Sequence, residues 1–165
     1  MLYFVQGENK GVVYCPNPRV AGVNTIRTIL ELGGQKLDVI PDGKLLIVET
    51  VRHHLDVLVS HWYSNDAKTP FNDFVKEILD GKNEVFGPQT LYGRHPTNYI
   101  LRYETLDYEW DNLCVNAGLR PCKITRTLSA RPKNIKWQNL FSYHMRVAVC
   151  NRYKDEMERL GYGVH

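Results

Sequence analysis

Three absences bound this sequence before any motif is read. No acidic residue stands between Asp111 and Asp155. No window approaches the run of about twenty apolar residues that crosses a bilayer, so no membrane span is expected. None of the four cysteines (Cys15, Cys114, Cys122 and Cys150) belongs to a CxxC pair. Widely scattered thiols of this kind read as reduced and partly buried, not as a disulfide frame or a zinc site. His, Cys and carboxylates never cluster at ligand spacing, and no metal is expected. The opening MLYFVQGENKG turns polar too soon for a signal peptide, which predicts a soluble, cytoplasmic protein.

What is present fits an ordinary globular chain. The 165 residues predict a single domain over 1–165, long enough to bury about two thirds of its unfolded surface. Hydrophobic residues make up 43% and charged residues 24%, both usual values. The net charge of +3 conceals an asymmetry, because the acid-free interval carries nine basic residues, among them Arg120, Arg126, Arg131, Lys133 and Lys136. A long field of one sign suits a polyanionic partner; it also suits a plain solvated basic face.

The elements follow from periodicity. Leu2–Val5 and Val12–Cys15 predict a hairpin through GENKG, and KLLIVET (44–50) is the clearest buried strand. A helix with Val23, Ile26 and Leu30 at helical spacing ends at Gly33-Gly34, and Leu37–Ile40 is a short strand. In VRHHLDVLVSHWYSN, Leu55, Leu58, Val59, Trp62 and Tyr63 form one apolar stripe, with His53, Asp56 and Ser60 on the opposite side. Thr69-Pro70 caps a helix lined by Phe71, Phe74, Val75, Ile78 and Leu79 and stopped by Gly81. Residues 81–96 read as loop. Asn98–Tyr103 is a strand, and Thr105 caps a helix with Leu106, Trp110, Leu113, Cys114 and Ala117 inward, ended by Gly118. A last helix from Gln138 to Leu160 turns Leu140, His144, Val147, Cys150, Met157 and Leu160 inward. Strands alternating with helices predict an α/β three-layer sandwich around a mostly parallel sheet.

The most informative stretch is GVVYCPNPRVAGVNTIRTIL (11–30), a strand, a proline-bounded turn holding Arg19, and a helix. A strand-to-helix turn aims free N–H groups and the positive end of a helix dipole at one spot. That spot is either an anion site or an ordinary connection with a surface arginine, since the strict phosphate-loop pattern is absent. Arg52 follows the KLLIVET strand directly and stands eight residues before Ser60. In open α/β sheets ligands bind outside the carboxyl ends of strands, which is where both arginines fall.

These residues resemble the Golgi-type carbohydrate sulfotransferases, whose fold is a P-loop-like α/β domain. VVYCPNPRVAGVNTIRTIL is similar to the family's 5′-phosphosulfate loop. VRHHLDVLVSHWYS is similar to its 3′-phosphate loop, an arginine after a strand and a serine eight residues on. NYILRYETLDYEWDNLCVNAGL and NRYKDEMERLGYG resemble its later strand and helix and its closing segment. Arg19 stands where the family has lysine, and Ala21-Gly22-Val23 replaces a step that carries a hydroxyl, leaving Thr25 as the nearest one. The interval Glu31–Gly43 is shorter than in the family.

The resemblance implies 3′-phosphoadenosine 5′-phosphosulfate as co-substrate and a hydroxyl of a carbohydrate or other small molecule as acceptor. Arg19 with Ala21, Gly22, Val23, Asn24 and Thr25 would hold the 5′ end, and Arg19 would also neutralise charge on the leaving oxygen. Arg52 and Ser60 would hold the 3′-phosphate, and Arg131 and Lys133 would come from a basic segment over the nucleotide. For the base, His53, His54 and His61 are available, and His53 alone lies on the Ser60 side of its helix; the residues themselves favour a capping or surface histidine in each case. A non-catalytic relative that binds a nucleotide or polyanion is the alternative. A nucleic-acid module is disfavoured, because the basic interval lacks a recognised motif and interleaved aromatics.

Overall fold

The computed structural model describes residues 1–17, 22–65, 67–82, 97–124, 131–132 and 134–163. The chain groups into two compact units, Met1–Val51 with Tyr92–Thr127, and Arg52–Leu91 with Leu128–His165.

The first unit is α/β. Its strands are β1 (Leu2–Gln6), β2 (Gly11–Cys15), β3 (Gln35–Leu37), β4 (Leu45–Val51) and β5 (Tyr99–Arg102), in the order β3-β1-β2-β4-β5. β2, β4 and β5 run parallel, while β1 is antiparallel to both β2 and β3. The sheet is therefore mixed, not mostly parallel. The reason is the short connection between β1 and β2: Gly7 N–H donates to Lys10 carbonyl at 3.1 Å, and so tight a turn can join only antiparallel neighbours.

Val12, Tyr14, Leu46, Val48 and Leu101 bury one side of the sheet with Ile29 from α1 (Gly22–Glu31) and Leu106, Trp110, Leu113, Cys114 and Ala117 from α4 (Leu106–Ala117). The α4 stripe is the one its spacing predicts. The α1 stripe differs: Val23 and Leu30 are exposed, and Thr25, Thr28 and Ile29 are buried. Ile26 packs against the core as expected, but Val23 and Leu30 lost to two threonines, because Thr28 satisfies its hydroxyl on the Asn24 carbonyl (3.0 Å) and costs little to bury. Thr105 occupies the N-cap of α4 but gives no cap bond; its hydroxyl donates to Glu109 Oε1 at 2.8 Å. Gly118 closes α4 in the left-handed conformation, at φ +68°.

The second unit is helical: α2 (His54–Ser64), α3 (Phe71–Leu79), a 3-10 turn (Trp137–Asn139), α5 (Tyr143–Arg152) and α6 (Lys154–Arg159). Its core joins Leu55, Leu58 and Val59 to Phe71, Phe74, Val75 and Ile78, and to Phe141, Val149, Cys150, Tyr153 and Met157. The last helix is not continuous from Gln138 to Leu160. It begins at the Ser142 cap, whose hydroxyl accepts from Met145 N–H (3.3 Å), and breaks at Tyr153. That break re-aims the chain, so that Met157 and Leu160 are buried while His144 and Val147, expected inward, are exposed. Thr69 does not cap α3. Pro70 holds the N-cap, and the Thr69 carbonyl accepts from Trp62 Nε1 at 2.7 Å.

Candidate functional site

In the first unit, β2 delivers Pro16 and Asn17 to the start of the turn, and α1 starts at Gly22. Arg19 and Ala21, named for the 5′ end, lie outside the described residues. Behind the turn is a buried polar cluster. Tyr14 Oη and Thr50 Oγ1 share a hydrogen bond of 2.9 Å, and the Thr25 hydroxyl also bonds the Tyr14 phenol. Asn17 Nδ2 donates to the Thr50 carbonyl at 2.8 Å. Complete burial pushes the Tyr14 phenol up to about 12, because the core cannot solvate a phenolate.

Thr25 therefore faces the sheet and braces Tyr14, which leaves its hydroxyl committed inside the unit. Gly22, Val23 and Asn24 remain at the helix start, with Val23 exposed. A side chain at Gly22 would stand 3.4 Å from the Asn17 carbonyl and 3.9 Å from Tyr14 Oη, so the helix begins directly over this cluster. The last residue of β2, Cys15, pairs in register with buried Glu49. Burial first, and then the Glu49 charge, raise its thiol to about 11.

The second unit gathers Arg52, Asp56 and Arg131. Arg52 Nε donates to Asp56 Oδ2 at 2.5 Å, and Arg131 Nη1 donates to Asp56 Oδ1. Arg131 Nε reaches back to the Ile135 carbonyl at 2.7 Å, which fixes the guanidinium plane. Side-chain exposure is 9%, 13% and 16% for Arg52, Asp56 and Arg131, so the trio sits in low dielectric. Two guanidinium groups thus converge on one buried carboxylate. Ser60, one turn beyond Asp56, is half-buried on α2. Arg52, Ser60 and Arg131, all named for the nucleotide, lie in this unit; Lys133 lies outside the described residues.

The three histidines have different places. His53 is the N-cap of α2: its Nδ1 accepts from Leu55 N–H at 3.3 Å. Its ring stacks on Trp137 (5.1 Å between centroids, 11° between planes) and meets the edge of Tyr162. His54 is buried, 2.6 Å from Glu156 Oε2 and stacked on Tyr153. His61 Nε2 lies 2.9 Å from Asn65 Nδ2, on the Phe74 ring face. Apolar spacing gave no sign of Glu156 or Trp137; only the Arg52–Asp56 spacing of four residues was readable in advance.

Compared with known proteins, the chain matches no family model, no curated protein and no solved structure.

Proposed function

We propose that this protein is a sulfotransferase that takes a sulfuryl group from 3′-phosphoadenosine 5′-phosphosulfate and passes it to a hydroxyl of a carbohydrate or other small acceptor. The observation that carries this reading is the Arg52–Asp56–Arg131 trio. It concentrates positive charge at the residue that the sequence resemblance assigns to the 3′-phosphate. A phosphate dianion meets there two fork-shaped donors already oriented by a shared carboxylate, and orientation in advance lowers the entropy cost of binding. For the 5′ end the support is the sequence resemblance alone, by which Arg19 and the first N–H groups of α1 would stabilise the phosphosulfate.

In this reading Asp56 has a defined part. It would hold the two guanidinium groups, which otherwise repel each other, in one place where both can meet a phosphate. Sulfuryl transfer also requires a proton acceptor for the attacking hydroxyl. Of the histidines weighed, His53 is committed through Nδ1 to the helix cap, which would fix its ring orientation.

The test is calorimetric titration with 3′-phosphoadenosine 5′-phosphate. Micromolar binding that weakens when the 3′-phosphate is removed is expected; absence of binding at high micromolar nucleotide refutes the proposal. The cap bond of His53 favours a second reading, a relative that binds the nucleotide without turnover. Transfer of labelled sulfate to a panel of glycans and simple alcohols separates the two, since robust turnover excludes the second.

A further inference from the structure

The turn between β1 and β2 docks on the end of α4 and, with the end of α1, walls a cleft of about 400 Å³ in the first unit. Glu8 N–H donates to the Gly118 carbonyl at 3.1 Å, and Asn9 and Lys10 N–H both donate to the Ala117 carbonyl, at 3.0 and 3.1 Å. These bonds fix Glu8 against α4, and a side chain at Gly118 would stand only 2.9 Å from Glu8 Cβ. On the other wall α1 stops at Glu31, and Gly33 turns the chain at φ +84°. Two helices of 10 and 12 residues thus bring their C-terminal, partially negative ends to one cleft. Its charged lining is Glu8, Glu31 and Arg120, all exposed, and among the described residues none of the three is held in an ion pair. The cleft lies at the amino end of β2, whereas the turn into α1 leaves the carboxyl end, so the two places are distinct.

We propose that this cleft binds a free basic amino acid, with its carboxylate on Arg120 and its two ammonium groups on Glu8 and Glu31. Charge decides the class. The lining carries two negative side chains and one positive one, and lysine or ornithine brings two positive groups and one negative. A polyamine would set an ammonium group against Arg120, and an inorganic anion would face two carboxylates. A neutral amino acid would leave one carboxylate unmatched. The two helix ends add to the preference for ammonium groups on the acidic walls. Arg120 suits the carboxylate, whose two oxygens match the guanidinium fork. The volume lies within the range of about 300–1,000 Å³ usual for small-molecule sites. Gln6, Glu8, Glu31 and Arg120 outnumber Leu32 and Leu119 in the lining, so an apolar ligand would find little to bury itself against.

The experiment is calorimetric titration of the full chain with L-lysine, beside cadaverine, which lacks the carboxylate, and L-norleucine, which lacks the side-chain ammonium. L-Lysine should bind one-to-one at millimolar concentration or below. Each of the other two should bind roughly tenfold more weakly, because one charge-assisted contact is lost. Arg120→Ala should weaken L-lysine roughly tenfold and leave cadaverine no weaker, whereas Glu31→Gln should weaken both. All three charged side chains are exposed, so the variants should keep the parent's urea midpoint, which is measured alongside. The proposal is overturned if L-lysine shows no saturable binding up to roughly 10 mM. It is equally overturned if cadaverine or L-norleucine binds as well as L-lysine, or if the double variant Glu8→Gln with Glu31→Gln binds L-lysine as the parent does.

Discussion

Replacing Arg52 by alanine separates a phosphate-reading arginine from one that only holds the fold. In the structure Arg52 is 8% exposed and donates to Asp56 at 2.5 Å, so its loss cannot be silent in the way that of a surface ion pair would be. Removing one partner of a buried pair costs about 3–5 kcal/mol when the other charge is left alone. Asp56 is not left alone, since Arg131 still donates to its other oxygen. The expected cost therefore drops to that of one charge-assisted hydrogen bond, about 1.5–3 kcal/mol. With a urea slope of about 1–3 kcal/mol/M, the unfolding midpoint should fall by roughly 1 M. Binding is then measured below that midpoint, where the variant remains folded. If Arg52 contacts the 3′-phosphate, affinity for 3′-phosphoadenosine 5′-phosphate should fall roughly ten- to a hundredfold. Affinity for adenosine 5′-phosphosulfate, which lacks that phosphate, should hardly change. Arg52→Lys should recover stability better than binding, because an ammonium keeps the charge without the fork. Equal losses for the two nucleotides would refute the assignment of the site, and an unshifted urea midpoint would refute the buried pair.

Alkaline titration tests the Tyr14 cluster. Its folded pKa of about 12 lies above the usual phenol value, so the folded state keeps a proton that the unfolded chain releases. The associated stability is complete below pH about 10 and falls by about 1.4 kcal/mol per unit as pH rises toward 12; Tyr14→Phe should flatten that fall in urea melts at several pH values. Cys15, raised to about 11, should react with iodoacetamide at pH 8 roughly a hundredfold more slowly than an ordinary thiol, and speed up about tenfold per pH unit. Gly118→Ala forces a side chain into φ +68° and places its Cβ 2.9 Å from Glu8 Cβ; a loss above about 1–2 kcal/mol by denaturant unfolding is expected. Glu156→Ala takes the 2.6 Å partner from buried His54 and should cost about 1–3 kcal/mol, whereas an unchanged midpoint would show that the pair contributes nothing.

Much of the fold was legible where one physical rule acted alone. β4 and the α4 stripe could be read because Leu46, Val48, Leu106, Trp110 and Leu113 are apolar at one clean period and are buried. The β1–β2 hairpin followed from its turn length, and Gly33 and Gly118 end α1 and α4 at positive φ, as two glycines at helix ends should. Reading failed where two rules competed. On α1, spacing favoured Val23 and Leu30, yet Thr25 and Thr28 have bonds inside the unit and displaced them. At Tyr153 a run that is helical on both sides breaks, because the ring is buried against His54 and the chain changes direction there. Neither outcome depends on local propensity, so neither could be read from a window of sequence.

The second unit sets the limit for the site itself. A helix with apolar residues on one stripe is expected to present its polar residues to water, and on that basis His53, Asp56 and Ser60 were placed on an open side of α2. Instead α2 is enclosed: His54, Asp56 and His61 are buried along with Leu55, Val57, Leu58 and Val59. A helix enclosed in this way can keep its polar side chains only by pairing them, and beside local partners such as Arg52 and Asn65 it uses several from distant parts of the chain. Asp56 takes Arg131, His54 takes Glu156, and His53 stacks on Trp137. Sequence alone shows which groups would be costly to bury; it does not show which remote group offsets the cost. Arg131 illustrates the difference. The sequence resemblance placed it, with Lys133, in a basic segment over the nucleotide. In the fold it is held at one end by Asp56 and at the other by the Ile135 carbonyl. A guanidinium held in this way is fixed by the same carboxylate that Arg52 binds. Its charge therefore belongs to a buried cluster with Arg52 and Asp56 and not to a diffuse solvated face, which the net +3 of the chain could not reveal.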